Sequence, residues 1–135
     1  MKKTYHGSCH CRRVTFEVDL DLNEGTTKCN CTYCWKNRWW TTSVKPEDFR
    51  SLGGEAELSA HRPGQAQGHG GFCRHCGSRP YAFVEKADWN DGERVSINVA
   101  VLDDLDPAEL LAAPVRFCDG RADNWWVAPA ETRHL

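Results

Sequence analysis

Seven of the eight cysteines in this chain fall into three short groups, Cys9-x-Cys11, Cys29-x-Cys31-x-x-Cys34 and Cys73-x-x-Cys76, and Cys118 stands alone. Thiolates spaced this way suit a soft divalent ion, since zinc takes sulfur at about 2.3 Å and favours four ligands in a tetrahedron. In Cys73-Arg74-His75-Cys76-Gly77 two thiolates can point at one ion while the glycine relieves the turning backbone. The Cys-x-Cys pairs suit a strand, where residues i and i+2 leave on the same face. Seven ligands do not divide into fours, but they do divide into four plus three. The compact set Cys29, Cys31 and Cys34 can ligate one ion alone, which leaves Cys9, Cys11, Cys73 and Cys76 to close another site across a long loop. Closed sites are structural, whereas catalytic zinc keeps a position open. Two zinc ions are therefore expected, with iron the alternative on ligand softness.

Other uses of these cysteines fit less well. Disulfides are rare in the reducing cytoplasm, which is the expected compartment because no apolar run follows Lys2-Lys3 to make a secretory signal. A redox dithiol at Cys73-x-x-Cys76 would open a helix, and Gly77-Ser78-Arg79-Pro80 is a poor helix start. A third account makes both zincs structural, with His6, His10, His61, His69 or His75 as the missing ligand. Cys118 reads as an inert buried thiol. If the second zinc is open, it can take a substrate thiol and lower its pKa; that sulfur could then add to a carbonyl carbon or leave a hemithioacetal. The catalytic part is then played by Cys29, Cys31 and Cys34 through the metal. His10 and His75 are weak candidates for a general acid, because each neighbours a ligand cysteine and points away from it on a strand.

These groups need a β frame. Val14, Phe16 and Val18 alternate with Thr15 and Glu17, and Val95, Ile97, Val99 and Val101 alternate with Ser96 and Asn98, the period of a half-buried strand. Further strands are expected over Trp39–Val44, Arg79–Val84, Val115–Cys118 and Trp125–Val127. Helix is scarce: Asp106 caps a two-turn helix through Leu111, with Pro107 at its first position and Glu109 reaching back, and Pro46–Phe49 makes a single turn. Residues 64–71 read as a flexible loop. Within Trp39-Trp40 and Trp125-Trp126, alternation sends one ring of each pair inward; core filling is the ordinary account and a ligand wall near Cys34 the sharper one.

Length and charge set outer bounds. One domain over 1–135 is expected, with no membrane span. Seventeen basic against nineteen acidic residues lack the basic excess of a nucleic-acid binder, and Arg12-Arg13 reads as a solvated pair. A homodimer would be compatible with tryptophans left on the surface.

Gly7-Ser8-Cys9-His10-Cys11 followed by Val14-x-Phe16-Glu17, then Cys29-x-Cys31-x-x-Cys34, Phe72-Cys73-x-x-Cys76-Gly77-Ser78 and Leu102-Asp103-Asp104, resemble in order and spacing the glutathione-dependent formaldehyde-activating enzyme family, also called the centromere protein V/GFA family. The resemblance runs over about residues 7–104 and implies a β-tent fold of small antiparallel sheets over zinc. It implies a structural zinc on Cys9, Cys11, Cys73 and Cys76 and a second, substrate-accessible zinc on Cys29, Cys31 and Cys34. The implied activity is that of a carbon–sulfur lyase joining a small thiol, glutathione, to formaldehyde as S-hydroxymethylglutathione. Arg12-Arg13 and the tryptophan pairs depart from the family pattern. The alternative is a non-enzymatic zinc-binding structural or interaction module.

Overall fold

The computed structural model describes residues 1–61 and 68–135, with 61 and 68–70 by backbone only. Its strands in chain order are β1 (Lys3–Ser8), β2 (Thr15–Leu20), β3 (Thr26–Cys29), β4 (Trp40–Val44), β5 (Phe49–Gly53), β6 (Leu58–His61), β7 (Gly68–Cys73), β8 (Tyr81–Val84), β9 (Arg94–Asn98) and β10 (Val115–Cys118). Two short helices join them, α1 (Thr32–Asn37) and α2 (Pro107–Ala112). Among the described residues the strands make a three-stranded sheet, β1-β2-β5, and a seven-stranded one in the order β10-β3-β4-β9-β8-β7-β6. The β10–β3 pair is parallel; the other neighbours are antiparallel. The fold is mainly β, as the alternating runs imply. No helix among the described residues is long and apolar enough to cross a membrane.

The period-two pattern does its work in β2 and β9. Phe16, Val18 and Leu20 turn inward from β2, and Val95 and Ile97 from β9, while their neighbours stay half-buried. Phe16 and Phe49 from the small sheet meet Tyr81 from the large one, with ring centroids 5.4 Å apart for Phe16–Tyr81 and 4.7 Å for Phe49–Tyr81. Both contacts run edge to face, worth about 1 kcal/mol each beyond the area they bury. Cys9 and Cys73 belong to the same core cluster as these rings, so the first sulfur group sits where the sheets meet.

Several elements differ from expectation. The strand expected through Val101 ends at Asn98, whose side chain accepts from the Ala100 N–H at 3.1 Å and so caps a 3-10 turn over Val99–Val101. The same side chain donates to the Arg79 carbonyl at 2.9 Å, and the Asn98 N–H donates to the Pro80 carbonyl at 3.0 Å; those bonds leave β8 to begin at Tyr81 instead of Arg79. Trp125–Val127 is not a strand; Trp126 is 72% exposed and the segment turns back, with the Asp119 N–H donating to the Val127 carbonyl. α2 starts as expected, with the Asp106 carboxylate accepting from the Ala108 N–H at 2.9 Å. Glu109, however, turns to Lys3 and to the Tyr5 hydroxyl instead of completing a capping box. The loop expected over 64–71 falls partly outside the described residues; from Gly68 the chain is already strand.

Candidate metal centres

The first sulfur group is assembled from two hairpin ends. Cys9 and Cys11 lie in the loop joining β1 to β2, not on a strand. That loop is closed by the Arg12 N–H on the Cys9 carbonyl and the Cys9 N–H on the Val14 carbonyl, both at 3.0 Å. Arg12 takes the left-handed conformation, φ 63°, to complete it. Cys73 ends β7, and the Gly77 N–H turns back onto the Cys73 carbonyl at 2.7 Å. Gly77 has φ +78°, the conformation anticipated for a residue that relieves the turn. The sulfurs of Cys9, Cys11, Cys73 and Cys76 all lie within 4.8 Å of one another. Two of the separations, Cys9–Cys11 and Cys11–Cys73, are 3.6 Å. A disulfide would need about 2.05 Å, whereas four sulfurs at about 2.3 Å from one ion stand about 3.8 Å apart. The donor set therefore fits a tetrahedral thiolate centre. The Val14 N–H donates to the Cys9 sulfur at 3.4 Å, and Ser78 holds the Cys76 thiol down to about 5.

The second group is more local. Cys29 ends β3, Cys31 is the N-cap of α1, and Cys34 stands in its first turn. Their three sulfurs also lie within 4.8 Å of one another, with the Cys31 N–H on the Cys29 sulfur and the Cys34 N–H on the Cys31 sulfur, each at 3.4 Å. Hydrogen bonds with Cys29 and Cys34 pull the Cys31 thiol down, while those with Cys29 and Cys31 push the Cys34 thiol up. Packed together, the three cannot all ionise without a cation among them.

Asn30 fixes the loop that carries these cysteines. Its amide donates to Asp119 at 2.8 Å and its side-chain oxygen accepts from the Arg121 N–H at 3.0 Å. Cys118 pairs in register with Cys29 across the parallel β10–β3 ladder yet lies outside the sulfur group, and burial raises its thiol pKa. Among the described residues neither group includes a histidine. His6 is engaged by Asp104 and Glu17, His75 by Glu57 at 2.5 Å, and His10 is exposed. The expectation for His61 and His69 falls outside the described side chains.

A cavity of about 230 Å³ opens beside the second group, lined by Cys29 and Cys34 together with Trp35, Trp39 and Trp40. Lys28, Arg38 and Leu135 complete its wall. Trp39 and Trp40 are thus cavity residues and neither fills the core; Trp40 is held by its indole N–H on the Thr26 hydroxyl at 2.8 Å. Trp125 and Trp126 are not core residues either, at 45% and 72% exposed. Sequence reasoning missed Lys28, Asn30, Trp35, Arg38 and Gly120. The adjacency of Lys28 and Asn30 to Cys29, and of Trp35 to Cys34, is the signal the sequence offers; Arg38 and Gly120 have none.

Gly120 touches the second group from the other side. A Cβ there would stand 2.7 Å from the Cys29 sulfur and 2.6 Å from the Trp125 ring. The half-exposed indole can swing away, but a sulfur committed to an ion cannot. Gly120→Ala is therefore expected to weaken metal at the second group by about tenfold, in line with the ~1–3 kcal/mol typical of overpacking. Chelator competition on the purified variant reads this directly, and the first group should hold its metal unchanged.

A mainly β frame carrying one group of four sulfurs and one of three defines the class: a small cysteine-rich protein with two centres able to hold metal ions. The glutathione-dependent formaldehyde-activating enzyme family matches the chain over residues 4–118, and the protein belongs to that family. A crystal structure of a Rhodobacter sphaeroides protein is similar, with a TM-score of 0.67 and 27% sequence identity over 82% of this chain and 99% of that one. The family's chemistry is that of glutathione and formaldehyde.

Proposed function

We propose that this protein is a zinc-dependent carbon–sulfur lyase acting on a thiol–aldehyde adduct such as S-hydroxymethylglutathione. In this reading Cys9, Cys11, Cys73 and Cys76 hold a structural zinc, and Cys29, Cys31 and Cys34 hold the zinc that substrate approaches. The observation that carries it is the contrast between the groups: four sulfurs at the sheet junction, against three that share a wall with a cavity. Zinc at the three-sulfur group would lower the pKa of an incoming thiol so that it is a thiolate at neutral pH.

The chain's own residues do the rest. The N–H groups of Cys31 and Cys34 hold two of the sulfurs in place, and Asn30 locks their loop to the Asp119–Arg121 turn. Trp35, Trp39 and Trp40 narrow the space in which thiol and aldehyde meet. In the forward direction a sulfur–carbon bond forms between thiol and formaldehyde, and the thiol proton ends on the new hydroxyl. The reverse breaks that bond and returns the aldehyde. Exchange NMR on glutathione and formaldehyde tests the reading. Metal-loaded protein should speed interconversion of thiol and adduct at least tenfold over buffer. A protein carrying two metal ions that leaves the rate unchanged would refute it.

A further inference from the structure

The cavity beside the three-sulfur group carries two cations, each held by an oxygen near the end of the sequence and by an indole face. The Lys28 ammonium lies 4.1 Å from the Trp40 ring centroid and donates to the Leu135 oxygen at 3.1 Å. The Arg38 guanidinium lies 5.2 Å from the Trp35 ring and donates to the His134 oxygen at 2.7 Å. Both cations line the same cavity, so an anion arriving between them would meet two positive charges, and oxygens already bound to them show that acceptor oxygen fits there.

Arg38 also occupies a costly backbone position. It closes α1 in the left-handed conformation, φ 52° and ψ 44°, where glycine is the easy choice. The place where a C-cap would favour glycine instead carries a long cation that reaches the cavity shared with Cys34.

We infer that Lys28 and Arg38 form a carboxylate subsite, so that the three-sulfur centre selects thiols bearing a carboxylate a few bonds from the sulfur. The inference rests on the reading above, in which a substrate thiol approaches that centre. At about 230 Å³ the cavity takes the thiol and its nearest acidic group, and leaves the rest of any larger thiol outside. The bound carboxylate replaces the His134 and Leu135 oxygens on the two cations, with the indole faces of Trp35 and Trp40 beside them.

The test titrates metal-loaded protein with 3-mercaptopropionate and with 2-mercaptoethanol, read by the fluorescence of the cavity tryptophans. The acid should bind at least tenfold more tightly. Lys28→Met and Arg38→Met should each remove most of that preference and the double variant all of it. Affinity for mercaptoethanol should stay within twofold and metal content unchanged. Lys28→Arg should keep the preference. Equal affinity for the two thiols in the unaltered protein, or a preference that outlives both cations, overturns the inference. So does loss of metal with both thiols weakened alike, since the cations would then serve the metal–sulfur centre. Acid-selective binding without thiol–formaldehyde exchange would count against the proposed reaction and leave the subsite standing; exchange indifferent to charge would do the reverse.

Discussion

Cys31→Ser is expected to lower bound metal from two equivalents to one and to slow thiol–formaldehyde exchange by about 100-fold or more, with the melting transition nearly unmoved. Loss of a partner that merely orients a ligand costs roughly 10–100-fold, so loss of a ligand in a three-sulfur set should cost at least the upper end. The fold should survive because its local supports do not depend on that sulfur. Asn30 is tied to Asp119 and Arg121, and Cys29 stays in the β3–β10 ladder. Cys31 is also the N-cap of α1, its sulfur accepting from the Cys34 N–H. Serine is a preferred N-cap, so the substitution removes a soft ligand while keeping the helix start. Elemental analysis, exchange NMR and a thermal melt on one preparation check all three parts. Two bound metals with full activity would remove the three-sulfur centre from the proposed reaction.

The cysteine groups could be read from spacing because a chelate is a local matter: two sulfurs two or three residues apart meet one ion whatever lies beyond. The strands with strict alternation, Val14 to Val18 overlapping what becomes Thr15–Leu20 and the first part of Val95–Val101, are legible for a similar reason, since each buries one face. What failed was set by partners distant in sequence. Cys9 and Cys11 lie in a hairpin loop because β1 pairs with β2, and nothing in Lys3–Ser8 alternates strongly enough to announce β1. Helix α1 has only six residues, lacks an apolar stripe and is capped by a thiol, so it sends none of the usual start signals. Asn98 ends β9 through a side-chain cap while Val99 and Val101 continue the apolar pattern, so the alternation overruns the strand. The cavity was beyond reach altogether. It joins Lys28 to Leu135, 107 residues apart in sequence, and sequence alone does not bring those two together.

Cys73→Ser should behave in the opposite way, costing the fold before it costs the chemistry. Cys73 is fully buried in the core shared by the two sheets, and its sulfur faces that of Cys11, 62 residues earlier. An ion held there clips the small sheet to the large one and closes a long loop in a chain with a modest core. Structural zinc binding is worth about 10–16 kcal/mol in small domains, against a total stability of about 5–15 kcal/mol. Even if three sulfurs and a hydroxyl keep half of that, the loss is about 5 kcal/mol, and a domain of this size gives up roughly 3–5 °C per kcal/mol. A melting temperature lower by about 15–25 °C, or failure to recover soluble protein, is the expected outcome. Cys118→Ser is the control, because it also places a hydroxyl at a buried cysteine but outside both sulfur groups. It should move the transition by only a few degrees, which separates lost metal from buried polarity. The decisive comparison is between Cys73→Ser and Cys31→Ser. If both variants melt alike, the four-sulfur group does not clip the sheets, and dividing the cysteines into one closed centre and one open one would no longer explain the fold or the reaction.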